Sequence, residues 1–173
     1  MNIFDMGSKA GFLFEVQGTT LTTSVISFTS MERISSPFLA EVLLASSSEI
    51  KFKNIAQKEA LLTLIGLESD RYIHGIVRKF EHTGKSGTDT NKEKYLYRAE
   101  IVPFTQLLSL EQDCRIFQNK NIQEIVADIF KDSGVPSDRY EFRLKNKEHK
   151  RRFCVQYRET DLKFINRILQ EEG

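Results

Sequence analysis

Apolar residues recur at every second position in several parts of the first hundred residues, and this period predicts β-strands. Phe12, Phe14 and Val16 follow the period, and residues 38–44 repeat it around the charged Glu41. Residues 61–65 form a short, mainly apolar run of the kind found in a buried strand. The N-terminal part of the chain is therefore predicted to be rich in β-structure.

Two longer strands are predicted over residues 72–80 and 95–102. A polar, glycine-containing stretch over residues 82–92 separates them and suits a solvated hairpin loop. Gly75 interrupts the first strand, and a glycine inside a strand usually marks a bulge or a close approach of two backbones. Together with the earlier strands, this hairpin predicts a small barrel or sandwich.

The period changes to that of an amphipathic helix after residue 121. Asn121, followed three residues later by Glu124, has the pattern of a capping box, and Gly134 before Val135-Pro136 has the pattern of a helix stop. The apolar stripe of this predicted helix consists of Ile122, Ile125, Val126, Ile129 and Phe130.

Two more strands and a second helix are predicted towards the C-terminus. Residues 140–144 and 153–157 alternate between aromatic or aliphatic and polar side chains, as strands do. Thr160 is the predicted N-cap of a helix with Asp161 in its first turn. The predicted buried stripe of that helix consists of Leu162, Ile165, Ile168 and Leu169.

These patterns predict a mainly β protein with an α+β part. We expect a barrel-like β domain over residues 1–108, followed by an α+β domain over residues 109–173 with the order helix, strand, strand, helix. The division is expected near residues 103–113, because the strand period gives way to the helical one there.

The composition predicts a folded protein without a strong overall charge. Of the 173 residues, 40% are apolar, which is well above the range of disordered chains. The formal net charge is +1, so no global field steers the molecule onto nucleic acid or an anionic membrane. The N-terminus lacks the pattern of a secretory signal, and no apolar run approaches the ~18 residues of a membrane span. We expect a protein that is cytoplasmic when made and does not insert directly into membranes.

Residues that could carry catalysis are present, but their spacing predicts no active site. The three histidines, His74, His82 and His149, lie far apart in sequence and outside any zinc-binding motif. Gly84-Lys85-Ser86 has part of a phosphate-binding loop, but Lys79 stands where that motif requires a glycine. We predict no metal site and no cofactor.

The two cysteines, Cys114 and Cys154, are predicted to be free thiols in a reducing compartment. Cys154 lies near Arg151 and Arg152, and cationic neighbours can activate a thiol. A small thiol enzyme centred on Cys154 is therefore one hypothesis. Packing of this cysteine on one face of a sheet is the favoured interpretation, and no catalytic residue is predicted.

One basic cluster supports a different hypothesis, a nucleic-acid-binding module that uses a turn over residues 143–152. Aromatic residues at both edges, Phe142 and Phe153, add to the resemblance to such modules. These aromatics are in phase with the buried faces of their strands, however, so a solvated hairpin turn is favoured. The basic residues are Arg143, Lys145, Lys147, Lys150, Arg151 and Arg152.

The C-terminal stretch resembles the signature of VgrG proteins, the spike components of type VI secretion systems and relatives of phage baseplate hubs. The resemblance rests on residues 154–161 (CVQYRETD), Phe164, Arg167 and Glu171-Glu172-Gly173. Further similar segments occur upstream in the same order: His74-Gly75-Ile76-Val77 with Phe80, Val102-Pro103-Phe104, Arg115-Ile116-Phe117-Gln118 leading into the family's first helix, and Gly134 at its stop.

The resemblance implies a structural hub rather than an enzyme. Three copies would form a ring of barrel-like and α+β subdomains that seats on a hexameric tail tube, above downstream spike domains and their effectors. A protein of this kind leaves the cell without a signal peptide, as part of the injection apparatus. In the family another strand follows the Glu-Glu-Gly sequence directly, so we expect the second subdomain to be truncated at its C-terminus.

Overall fold

The computed structural model of the chain describes residues 11–87, 93–144 and 149–172. It divides into two compact units, Met1–Pro103 and Phe104–Gly173. The predicted domains, 1–108 and 109–173, stay a prediction. The strands are β1 (Gly11–Val16), β2 (Thr23–Arg33), β3 (Ser36–Ser46), β4 (Glu59–Ile65), β5 (Arg71–Ser86), β6 (Lys94–Val102), β7 (Gln112–Lys120) and β8 (Arg151–Thr160). The α-helices are α1 (Ile122–Asp132) and α2 (Asp161–Glu172).

The first unit is one antiparallel sheet of six strands in the order β1-β4-β5-β6-β3-β2. The two outer strands approach each other, as the contact between Phe12 in β1 and Phe28 in β2 shows. Their ring centres lie 5.3 Å apart in an edge-to-face arrangement. The sheet therefore curls like part of a barrel, although no ladder joins β1 to β2 among the described residues. The expectation of a barrel-like β part is confirmed.

The core of this unit fills the concave side of the sheet. Tyr97 is almost fully buried; its ring stacks on Phe80 at 5.0 Å, and its hydroxyl accepts a hydrogen bond from the Ile50 backbone N–H at 2.8 Å. Gly75 is required where β5 crosses the end of β6, since a Cβ atom there would lie 2.2 Å from the Val102 carbonyl oxygen. The predicted close backbone approach is confirmed.

The predicted hairpin of residues 72–80 and 95–102 is also present, as β5 and β6. β5 continues to Ser86, so much of the predicted loop belongs to the strand. Residues 88–92 of that loop lie outside the described part of the chain.

The second unit packs two helices on a two-stranded sheet of β7 and β8. Helix α1 begins with the predicted capping box: the Asn121 side chain accepts from the Glu124 N–H, and the Glu124 carboxylate accepts from the Asn121 N–H, both at 2.8 Å. Gly134 follows the helix at φ +72°, where glycine is favoured. Helix α2 begins after Thr160, whose hydroxyl accepts from the Lys163 N–H at 3.3 Å, as predicted.

Three details of the predicted α+β part were wrong. Residues 140–144 form no strand; Tyr140 instead packs its ring against Phe130 at 4.6 Å and Phe142 at 5.4 Å. The strand that pairs with β8 is β7, which precedes α1 and contains residues 115–118, so the order is strand, helix, strand, helix. The buried stripe of α2 includes Phe164 at 0% exposure, whereas Leu169 is 38% exposed.

Candidate functional site

The sheet of β7 and β8 has one covered face and one exposed face. Phe117, Cys154 and Gln156 point into the unit, where the helices cover them. The opposite side, here called the outer face, is formed by Cys114, Ile116 and Gln118 of β7, which lie across from Tyr157, Val155 and Phe153 of β8.

The outer face exposes four large apolar side chains. Ile116 and Tyr157 are 66% and 65% exposed, and Phe153 and Val155 are 57% and 46% exposed. A contiguous apolar surface of this kind on a folded protein usually marks an interaction site. The outer face is therefore the strongest candidate for contact with another polypeptide in this unit.

Two arginines flank the apolar side chains of the outer face. The guanidinium carbon of Arg152 lies 5.6 Å from the centre of the Phe153 ring, and that of Arg158 lies 5.3 Å from the centre of the Tyr157 ring. Among the described residues, no carboxylate forms an ion pair with either arginine. The outer face thus combines apolar surface with positive charge.

A buried polar cluster lies on the covered side of the same sheet. Asp161, the first residue of α2, is fully buried; its carboxylate accepts hydrogen bonds from Gln156 Nε2 at 2.6 Å and from Ser133 Oγ at 3.1 Å. The guanidinium of Arg115 lies 3.5 Å from the same carboxylate and also contacts Asp113 at 2.6 Å. The cluster joins both strands, the end of α1 and the start of α2.

Helix α2 is also attached to β8 at its other end and along its length. Arg151 contacts the carboxylates of Glu171 at 2.5 Å and Glu172 at 2.7 Å. The Arg151 hydrogen bond lowers the pKa of Glu171. Arg167 contacts Glu159 at 2.5 Å and donates to the Val155 carbonyl oxygen at 3.0 Å, and the Glu159 carboxylate raises the pKa of Arg167. These contacts fix the helix along the strand.

The two histidines of the first unit have different surroundings. His74 contacts the Glu59 carboxylate at 3.0 Å, and His82 lies beside the rings of Tyr95 and Tyr97. His149 lies in the other unit. Within residues 11–87, 93–144 and 149–172, no group of three His, Cys, Asp or Glu side chains is arranged to hold a metal ion.

Two other candidates from the sequence, Cys154 and Gly84-Lys85-Ser86, belong to β-strands. Cys154 is buried at 6% exposure on the covered face, as predicted for a packed strand cysteine. Gly84-Lys85-Ser86 ends strand β5, and Lys85 pairs with Glu93 at 3.1 Å. In the described part of the chain, neither helix has the length and apolar character needed to cross a bilayer.

Two of the four described residues of the basic cluster are paired with carboxylates. Arg143 pairs with Glu141 at 2.8 Å, and Arg151 is held by the two glutamates at the end of α2. Residues 145–148, which include Lys145 and Lys147, lie outside the described residues. Sequence reasoning missed the outer face because it did not identify β7; the alternation of Cys114, Ile116 and Gln118 was the available signal.

Comparisons with known proteins agree with this architecture. The family model described as phage tail baseplate hub (GPD) matches residues 31–173. The type VI secretion system spike protein VgrG4b of Pseudomonas aeruginosa is 30% identical over 172 residues, which are 99% of this chain and 20% of that protein. The spike protein VgrG3 of Vibrio cholerae is 37% identical over 138 residues, 79% of this chain and 13% of that protein. The chain thus spans a fifth or less of the length of these two relatives.

A solved structure has the same fold. It is the E. coli c3393 protein, described as a component of the type VI secretion system with structural similarity to the T4 bacteriophage tail proteins gp27 and gp5. The TM-score is 0.76 at 24% identity, and the match covers 93% of this chain and 43% of that one. The resemblance to VgrG proteins and the mainly β, hub-like fold class are thereby confirmed. By its match to the family model over residues 31–173, the chain belongs to the phage tail baseplate hub family.

Proposed function

We propose that this chain is a structural hub component of a type VI secretion system or a related phage-tail-like contractile injection machine. In this role it forms a homotrimeric ring that seats on the hexameric tail tube and connects to downstream spike domains and effectors. The apparatus exports it without a signal peptide. The observation that carries the proposal is the buried anchor between strand and helix that Gln156 and Asp161 of the VgrG-like stretch form.

That anchor suits a protein that transmits force. Gln156 and Asp161 are both fully buried and hydrogen-bonded to each other, so these two signature residues hold α2 on the sheet. Arg151 and Arg167 fix the same helix from outside. A hub under the thrust of a contracting sheath needs such stiffness, and it needs exposed surface for assembly.

We infer a role without catalysis for these residues. The relatives VgrG4b and VgrG3 are named as spike proteins. A third relative is named an actin cross-linking toxin, VgrG1 of Vibrio cholerae, but this chain covers only 12% of it. Any activity of such a kind belongs to the whole relative and is not assigned to this chain.

The alternative, a nucleic-acid module at residues 143–152, has less support, because Arg143 and Arg151 are paired with carboxylates. Binding to a labelled oligonucleotide over a range of salt concentrations tests it. Tight binding that weakens steeply with salt would favour the alternative. No binding at physiological salt would contradict it.

The proposed function is tested by the mass of the purified 173-residue chain in solution, measured by light scattering over a range of concentrations. A trimer has three times the chain mass of 20.0 kDa, about 60 kDa. The same samples are then passed over an immobilised hexameric tail-tube protein of the same organism. A trimer retained by the tube supports the proposal, whereas a monomer that the tube does not retain contradicts it for this chain.

A further inference from the structure

The first unit carries a second exposed apolar surface, at the turn between β4 and β5. Leu67 is 100% exposed at the tip of this turn, and Ile65 and Tyr72 beside it are 49% and 61% exposed. Glu68 and Asp70 lie between them. We call residues 65–72 the acidic turn.

The acidic turn is preorganised and its carboxylates are available. Asp70 accepts a hydrogen bond from the Gly66 N–H at 3.2 Å and lies 3.5 Å from the Tyr72 hydroxyl, so the turn keeps one shape. The cation within the turn, Arg71, is paired with Glu32 of β2 at 2.6 Å, and among the described residues no cation forms an ion pair with Glu68 or Asp70. The turn therefore presents apolar side chains together with uncompensated negative charge.

The outer face of β7 and β8 has the opposite charge with the same apolar character. It carries Arg152 and Arg158, which lack carboxylate partners in the described residues, and it contains no carboxylate of its own. Its four exposed apolar side chains present roughly 400 Å², if a complete side chain of this size has about 200 Å². This is comparable to the largest patch of many monomers, which is often functional.

The charges decide which surfaces can pair. Two outer faces brought together would place arginine against arginine, and two acidic turns would place carboxylate against carboxylate. An outer face against an acidic turn instead brings Arg152 and Arg158 towards Glu68 and Asp70, with Phe153 and Tyr157 near Leu67 and Tyr72. Opposite potentials across an interface favour the correct partner and suppress the like-charged one.

We propose that the outer face of one copy binds the acidic turn of the next copy. Both surfaces are exposed in the single chain. Such a contact is heterologous, because two different surfaces of the same chain meet, and a heterologous contact forms a closed ring when its rotation is one third of a turn. The inference rests on the proposed function, since it names the surfaces that build the proposed trimer.

The size of the contact sets its expected strength. About 400 Å² on one side is half of what a standard interface buries per partner, so an isolated contact is weak. Each copy in a closed ring makes two contacts, and the last contact forms within an already linked assembly at high effective concentration. Assembly should therefore depend on concentration and, because of the rim charges, on salt.

Charge reversal on each surface tests the proposal. The double variant Arg152→Glu/Arg158→Glu loses the basic surface, and Glu68→Lys/Leu67→Lys loses the acidic one while leaving Asp70 to hydrogen-bond the Gly66 N–H. Each variant alone should stay monomeric at concentrations at least tenfold above those at which the unaltered chain assembles. The control Lys163→Glu reverses an exposed charge on α2, the helix that covers the other side of the sheet, and should assemble normally.

Mixing the two disabled variants distinguishes this contact from a symmetric one. One variant keeps the acidic turn and the other keeps the outer face, so a heterologous interface gives a one-to-one dimer and no ring. If each surface paired with itself, mixing would give no mixed species, which would overturn the proposal. Circular dichroism of each variant establishes that it is folded.

Cys114 provides a second readout on the unaltered chain. Its thiol lies on the outer face opposite Tyr157, whereas Cys154 is buried within the unit and serves as an internal control. Alkylation of Cys114 should slow at least tenfold when the chain is concentrated enough to assemble. A trimer in which Cys114 stays fully reactive and the arginine variant still assembles would overturn the inference and leave the proposed function intact. A monomer at every concentration would overturn the trimer itself.

Discussion

The fully buried carboxylate of Asp161 gives the sharpest stability prediction for the second unit. In Asp161→Ala, Ser133 Oγ and one of the two N–H groups of Gln156 Nε2 lose their acceptor, while Gln156 keeps its hydrogen bond to the Glu159 carbonyl oxygen at 3.1 Å. An unsatisfied buried donor lowers the free energy of unfolding by about 1–3 kcal/mol, so the two donors together should lower it by roughly 3 kcal/mol. Loss of a carboxylate from the first turn of α2 adds about 0.5 kcal/mol. Arg115 keeps its contact with Asp113 at 2.6 Å, but its Nη1 loses the Asp161 carboxylate at 3.5 Å, so this sum is a minimum.

The expected loss of about 3–4 kcal/mol is a large part of the stability of a small unit. Urea unfolding followed by circular dichroism and by the amide signals of α2 measures it, with Asp161→Asn as the conservative comparison. The asparagine variant keeps one side-chain oxygen as acceptor and should lose only about 1–2 kcal/mol. The exposed Asp132→Ala control should change stability by less than about 0.5 kcal/mol. If Asp161→Ala were no more destabilising than this control, the buried cluster would not be the anchor described above.

Three further perturbations test other parts of the structure. Gly75→Ala places a Cβ 2.2 Å from the Val102 carbonyl oxygen, so the first unit should lose at least about 1–3 kcal/mol in thermal unfolding; unchanged melting would contradict the close approach. Asn121→Ala removes the capping box and should cost about 1 kcal/mol, measured by urea unfolding against Asn121→Asp, which retains a cap. The hydrogen bond from Arg151 lowers the pKa of Glu171, so this contact stabilises the fold above the unfolded pKa and is lost as pH falls through the lowered folded value. An NMR titration of the Glu171 carboxyl should show its midpoint rise in Arg151→Gln, and an unmoved midpoint would refute the contact.

Local signals explain why some elements could be predicted from the sequence. At the start of α1, the side chains of Asn121 and Glu124 each accept a hydrogen bond from the other residue's backbone N–H. After the helix, Gly134 takes the left-handed conformation that ends it. Each of these features depends on neighbours within a few residues, so sequence spacing carries the information. Gly75 belongs to the same group, because a glycine in a strand already indicates crowding, although its partner Val102 could not be named.

Non-local pairing explains the errors in the second unit. Residues 140–144 alternate as a strand does, but the alternation says nothing about a partner, and Tyr140 finds aromatic rings rather than a ladder. Strand β7 has polar ends, and a bulge between Asp113 and Cys114 breaks its alternation. Its ladder is formed with β8, which begins 31 residues after β7 ends. Which of two alternating segments joins a sheet is decided by the packing of the whole unit.

The pairing of β7 with β8 also explains why the outer face could not be predicted from the sequence. Ile116 and Phe117 are adjacent and both apolar, yet Phe117 stacks on Phe164 in the core while Ile116 faces outward at 66% exposure. Hydrophobicity alone assigns both to the core, and only the register of β7 against β8 separates them. In the contact that we propose, the buried residues Gln156 and Asp161 keep the sheet rigid on its covered side, while the outward apolar row on the other side meets another copy. Arg152 and Arg158, near the two ends of this row, favour an acidic partner surface over a second outer face. Apolar surface alone does not make that distinction.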